Sequence, residues 1–141
     1  MIHLTLFFDG ASRKNPGESG SGWYITSPNQ SASKKGYAYT GIKTNNQAEY
    51  NGLLNGLKEI KKEYSLKNLS LTIKGDSELI IKQLKGDYKV KSKNLRPYYL
   101  EVQKILNEIP NISFEWIPRE ENRIADHLAN QAIDTKSNLL M

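Results

Sequence analysis

Apolar and polar positions alternate from the start of the chain: Ile2, Leu4, Leu6 and Phe8 fall on one side, His3, Thr5 and Phe7 on the other. Strict alternation rich in β-branched and aromatic residues predicts a half-buried strand ending at Asp9. Asn15-Pro16-Gly17, with Gly20 and Gly22, then punctuates a turn. A second strand is expected over Gly22 to Ser27 (GWYITS), a turn at Pro28-Asn29-Gln30, and a third strand near Lys35 to Gly41 (KGYAYTG), with Tyr37 and Tyr39 on one face. Three strands joined by short turns make an antiparallel meander. The glycine-rich turn lacks the GKS/T ending of a phosphate-binding loop and leads into a strand, so it reads as a hairpin.

The period then changes. Thr44, Asn45 and Asn46 offer cap side chains, and Ala48, Leu53, Leu57, Ile60 and Tyr64 recur at helical spacing. Gly52 and Gly56 weaken this helix intrinsically; four residues apart, they let it approach the sheet closely. Leu69 to Lys74 (LSLTIK) is a fourth strand, and Gly75-Asp76-Ser77 leads into a short helix through Leu84. A helix begins at Asn94 to Pro97 and runs to about Glu108, with Tyr98, Val102, Ile105 and Leu106 as its apolar stripe. Ile112 to Ile117 is a fifth strand, Pro118 ends it, and Asn122 is expected to cap a last helix that buries Ala125, Leu128, Ala129, Ala132 and Ile133. The pattern predicts one α/β or α+β domain over residues 1–135 and a frayed tail over 136–141.

Four acids stand at the junctions of this pattern. Asp9 and Asp76 close strands; Glu49 and Asp126 lie early in helices. A lone carboxylate at the edge of an apolar core is costly unless something pairs with it. Folded together the four would repel one another, and hard divalent cations such as Mg²⁺, which prefer oxygen ligands, would relieve that repulsion. Two such ions about 3.5–4 Å apart can clamp the attacking and leaving oxygens of a phosphodiester. Taken singly each acid has a plainer reading: Glu49 stabilises a helix dipole, and Asp76 caps a helix.

Composition narrows the chemistry. The chain has 141 residues, a formal net charge of +5 and no cysteine. The length suits one domain with a real core, and the charge points to an anionic partner, nucleic acid first. Absence of cysteine excludes disulfides, thiolate catalysis and cysteine zinc sites; two histidines, His3 and His127, are too few for a histidine metal centre. Neither a leader nor a long apolar run is present, so a cytoplasmic protein without membrane contact is expected. Lys82, Lys85, Lys89, Lys91, Lys93 and Arg96 are opposed within their segment only by Asp87, with Tyr88 among them. Such a patch suits a nucleic-acid backbone; a solvated face is the competing reading.

Four segments, DGASRKNPGESGSGW, TNNQAEYNGLLNGL, GDSELIIKQL and WIPREENRIADHLAN, resemble in the same order the four acidic motifs of type 1 ribonuclease H, over nearly the whole chain. The resemblance implies a five-stranded mixed sheet of order 3-2-1-4-5 flanked by helices. It implies endonucleolytic cleavage of RNA paired with DNA, leaving 5′-phosphate and 3′-hydroxyl ends. By the same carry-over Asp9, Glu49, Asp76 and Asp126 hold two Mg²⁺ ions, with Mn²⁺ as a substitute. The RNA strand, distinguished by its 2′-hydroxyls, would be read by Lys14, Asn15, Asn46 and Glu49. A DNA-strand phosphate would be gripped by Arg13, Thr44, Asn45 and Asn94, and the DNA backbone would run along Lys89, Lys91 and Lys93.

The chain also departs from the family pattern. Many relatives carry a histidine in a flexible loop before the last acid; here that loop, Pro118 to Asn122, is short and has none. His127 follows Asp126, but neighbouring helix residues point about 100° apart. The long basic protrusion of some relatives is shortened to the lysine-rich loop, and no separate hybrid-binding domain is expected, so binding should be weaker and less processive. The resemblance to short-loop members extends the expected substrates to double-stranded RNA. The alternatives to a hybrid-cutting monomer are therefore a nuclease that also cuts double-stranded RNA and a catalytically silent hybrid-binding module.

Overall fold

The computed structural model describes residues 1–28 and 33–140. The turn expected at Pro28-Asn29-Gln30 lies, at Asn29 and Gln30, outside the described residues. One mixed sheet carries the fold. β1 (Ile2–Ser12), β2 (Gly17–Thr26) and β3 (Lys34–Lys43) form the expected antiparallel meander. β4 (Leu69–Gly75) runs parallel to β1, and β5 (Asn111–Trp116) runs parallel to β4. These five strands have the order 3-2-1-4-5.

The tail corrects one expectation. β6 (Leu139–Leu140) pairs with Gly36 and Tyr37 of β3 instead of fraying. Two side chains hold it there: Asn138 Oδ1 accepts the Tyr39 N–H at 2.9 Å, and Lys136 pairs with Glu18 at 2.8 Å. β2 also begins at Gly17, five residues earlier than the pattern indicated. Gly17 to Ser21 carry almost no apolar side chains, so alternation was silent there. Pairing with β1 on one side and β3 on the other supplies the strand instead.

The even-numbered side chains of β1, Leu4, Leu6 and Phe8, enter a single apolar cluster with Trp23, Leu53, Leu57, Ile60, Leu71 and Ile73. α1 (Asn45–Glu63) covers this face. It is capped at Thr44, whose hydroxyl accepts the Gln47 N–H while the Gln47 side chain accepts the Thr44 N–H. The reciprocal pair fixes where the helix begins. α2 (Glu78–Lys85) is capped by Ser77, and α3 (Arg96–Leu106) starts two residues after Asn94. α4 (Arg123–Thr135) lies on the opposite face, over the glycines of β2.

Glycine decides how close both helices come. A Cβ at Gly52 of α1 would stand 2.7 Å from the Asp9 carbonyl oxygen, and one at Gly22 of β2 would stand 2.3 Å from the Ala125 carbonyl oxygen of α4. Alanine is the better helix former by about 1 kcal/mol, yet Gly52→Ala should cost a net ~1–2 kcal/mol through overpacking against β1. Urea unfolding would read this. An unchanged midpoint would mean that α1 can lift off the strand freely.

Candidate active site

The acids meet beside the end of β4 and the later part of β1, which runs on to Ser12, past the end expected at Asp9, because Gly10 to Ser12 stay paired with β2. Asp9 lies on β1 opposite Gly22 of β2, and its Oδ1 accepts the Gly10 N–H at 2.9 Å. Glu49 is in the second turn of α1, one turn before Leu53, and faces inward as its spacing indicated. Asp76 follows the last residue of β4 and precedes the cap residue Ser77, so it is not itself the cap. The Trp116 indole at the end of β5 donates to the Asp76 carbonyl at 3.1 Å. Asp9, Glu49 and Asp76 each present an oxygen within 4.8 Å of the others.

This triplet is buried enough to be electrostatically costly. Asp9 is 5% exposed and Glu49 is 9% exposed. Burial, and then the neighbouring Asp76 carboxylate, pushes the Asp9 carboxyl up to about 8. Burial first, then the charges of Asp9 and Asp76, hold Glu49 well above the usual carboxylate range. Asp76 is raised by burial, against a hydrogen bond from Asn122 and the charge of Arg119, which pull it down. An all-oxygen set of three carboxylates that resist sharing negative charge fits a hard divalent cation.

Asp126 stands beside the triplet and adds to the repulsion on Asp9. It occupies the first turn of α4 and is the more open group, with its side chain 30% exposed. Asn130 Nδ2 donates to its Oδ1 at 3.2 Å, and the Arg119 guanidinium lies 3.7 Å away. All four acids line one open cleft of about 420 Å³, shared with Arg13, Asn45, Arg119 and Asn130. Arg119 and Asn130 were not singled out from the sequence. The four-residue spacing of Asp126 and Asn130 on one helix face is the signal that could have found Asn130. His127 points to a different groove, beside Lys35, Arg123 and Leu128.

The expected substrate residues divide into two places. Near the cleft, Asn15 Oδ1 accepts the Asn45 N–H at 3.0 Å, joining the turn after β1 to the start of α1. Lys14 is exposed on that turn, and Asn46 is half-buried in the first turn of α1. Arg13 reaches across to α4, where it pairs with Asp134 at 2.9 Å and touches the Asn130 amide oxygen at 3.3 Å. The Thr44 hydroxyl is engaged in its cap. Asn94 and Lys93 are exposed in the segment between α2 and α3. There Lys89 and Lys91 line a second groove with Tyr88, Arg96 and Tyr99. Lys82 turns back to Glu78 at 2.8 Å and lies over the Tyr88 ring, leaving the lysines of the loop itself to face solvent.

A family model described as reverse transcriptase-like matches residues 7–132. The chain is 37% identical over 134 residues to the bifunctional protein Rv2228c of Mycobacterium tuberculosis, covering 94% of this chain and 36% of the length of that relative. Among solved structures, RNase H1 from Halobacterium salinarum superposes with a TM-score of 0.86 at 34% identity, covering 94% of this chain and 98% of that one. LC11-RNase H1, solved in complex with an RNA/DNA hybrid, superposes with a TM-score of 0.85 at 36% identity, covering 94% and 98%.

Proposed function

The chain belongs to the type 1 ribonuclease H family within the reverse transcriptase-like domains, and from that membership we propose that it is a metal-dependent endoribonuclease that hydrolyses the RNA strand of RNA/DNA hybrids. The observation that carries the reading is the oxygen triplet of Asp9, Glu49 and Asp76, with Asp126 beside it in the same cleft. A relative of similar size and fold has been solved with such a hybrid bound. The acting unit is residues 1–135 as a monomer, with the tail strand at Leu139–Leu140 packed along β3.

In this reading Asp9, Glu49, Asp76 and Asp126 hold two Mg²⁺ ions, for which Mn²⁺ can substitute. When bound, the ions supply activation of the attacking water and stabilisation of the leaving 3′ oxygen, giving 5′-phosphate and 3′-hydroxyl ends. The chain's own residues do the positioning. Asn15, held to the start of α1 by the Asn45 N–H, presents donors and acceptors to the RNA strand together with Lys14, Asn46 and Glu49, and the 2′-hydroxyls mark that strand as RNA. Arg13 and Asn45 at the cleft, with Thr44 and Asn94, meet phosphates of the DNA strand, and Lys89, Lys91 and Lys93 follow its backbone. No protein nucleophile enters the scheme.

A gel assay tests it directly. A labelled RNA strand paired with DNA, the same strand paired with RNA, and single strands are incubated with Mg²⁺, Mn²⁺ or EDTA. Metal-dependent cutting of the hybrid's RNA strand alone is expected. Comparable cutting of the RNA duplex would mean that DNA-strand recognition is loose, and binding without any cutting would overturn the enzyme reading in favour of a silent binding module.

The lysine loop makes a separate prediction. Changing Lys89, Lys91 and Lys93 to Ala should weaken hybrid binding and lower the slope of log affinity against log salt by about 2–3, close to one for each phosphate no longer neutralised. A salt titration by fluorescence anisotropy reads the slope. If affinity and slope both stay the same, the loop is a solvated face.

A further inference from the structure

Asn122 sits where a helix cap belongs and does something else. An asparagine at this position ordinarily turns its side-chain oxygen onto the first free N–H groups of the helix. Here the side chain makes no cap hydrogen bond to α4. The residue is 1% exposed, its amide nitrogen donates to the Phe8 carbonyl oxygen at 2.9 Å, and its amide oxygen is buried without a partner among the described residues. A buried acceptor left unsatisfied is a cost, so the carboxamide has been oriented for its donors at the expense of its acceptor.

Those donors face the acid cluster. The Phe8 carbonyl belongs to the residue before Asp9. The Asn122 carbonyl oxygen accepts the Asp126 N–H at 3.0 Å as the first hydrogen bond of α4, and the Asn122 N–H donates to the Arg119 carbonyl at 2.9 Å. One residue thus touches the stretch of β1 carrying Asp9, the helix turn carrying Asp126 and the loop carrying Arg119. A primary amide nitrogen donates without carrying charge, and here it donates to the Phe8 carbonyl. A carboxylate in its place would be repelled by that carbonyl.

We propose that Asn122 is a positioning residue that sets the spacing of Asp9 and Asp126 and thereby the affinity of the cleft for a divalent cation. This rests on the metal-binding reading of the acids but not on the identity of the nucleic-acid substrate. Groups that orient metal ligands typically change metal affinity or activity by about 10–100-fold when removed.

The test measures Mn²⁺ binding by calorimetry on the full chain without nucleic acid, alongside thermal unfolding in EDTA and hybrid cleavage. The variants are Asn122→Ala and Asn122→Ser, the latter keeping a single hydroxyl donor. Ile60→Val, in α1 and buried in the apolar cluster, is the stability control. Asn122→Ala should bind Mn²⁺ about 10–100-fold more weakly, Asn122→Ser should fall between it and the native chain, and Ile60→Val should keep native affinity despite a lowered melting temperature. Native Mn²⁺ affinity in both Asn122 variants would overturn the proposal, and Asn122→Ser decides it alone if Asn122→Ala does not fold. A native chain that binds Mn²⁺ yet cuts no hybrid would refute the nuclease reading while leaving the role of Asn122 measurable.

Discussion

Replacing Asp9 by Asn should reduce hybrid cleavage by about 10³-fold or more while leaving hybrid binding in EDTA within about twofold. The estimate follows from the several kcal/mol of charge stabilisation that a bound cation contributes and from a tenfold rate change for each ~1.4 kcal/mol. Asp9 is the most exposed to this logic because it is buried on a strand and its carboxylate lies close to both Glu49 and Asp76. Asp76→Asn should behave alike. Asp126→Asn should cost less, since that carboxylate stands outside the triplet with its side chain 30% exposed. Single-turnover cleavage in Mg²⁺ and anisotropy in EDTA separate the two effects. Cleavage that survives Asp9→Asn would refute the metal assignment for this cleft.

The apo protein should lose stability as the pH rises from about 4 to about 8, and Mg²⁺ or Mn²⁺ should restore it at the upper end. The sign follows from Asp9, whose carboxyl is raised from the ordinary 3.8 to about 8. Between those values the folded chain holds a proton that the unfolded chain has released. Stability therefore falls with pH across that window. The difference is worth about 6 kcal/mol as an upper bound if Asp9 acted alone. Glu49 and Asp76, also raised, act in the same direction. Glu18 and Glu78 are lowered by Lys136 and Lys82 and act oppositely, losing stability as the pH falls below about 4.5, but solvent screens both of these surface pairs. A cation that binds only the folded cluster stabilises it by about 2.7 kcal/mol at a hundred times its dissociation constant. Melting curves in EDTA and in Mg²⁺ at pH 5 and pH 8 would read the effect, and Asp9→Asn should flatten the EDTA series. Stability in EDTA that rises steadily from pH 4 to 8 would show that the acids are not forced together in the absence of metal.

Periodicity and turn chemistry placed every major element, and the reasons are local. Alternation in IHLTLFF and the helical recurrence of Ala48, Leu53 and Leu57 report which side chains leave water, a property each segment carries by itself. The motif around each acid identified the family, since four acidic motifs in one order are far more specific than any one of them. The sheet order came from that resemblance, because strand neighbours depend on pairing between segments tens of residues apart. The same limit explains the start of β2 at Gly17 and the addition of β6, both created by partner strands and not by their own patterns.

The sequence alone determined the inventory: an α/β chain with four acids at element junctions, a lysine loop, and no cysteine or loop histidine. Only the tertiary structure decided how those parts are used. It set the triplet of Asp9, Glu49 and Asp76 apart from Asp126, and turned Arg13 toward Asp134. It brought Arg119 and Asn130 to the cleft, and turned the side chain of Asn122, at the cap position of α4, to the Phe8 carbonyl beside Asp9. Residue type states what a side chain can donate, accept or ionise. Which partner it meets, and how much water is excluded there, depends on where β1, β4, α1 and α4 converge, and that convergence is set by close approach at glycines whose neighbours are distant in sequence.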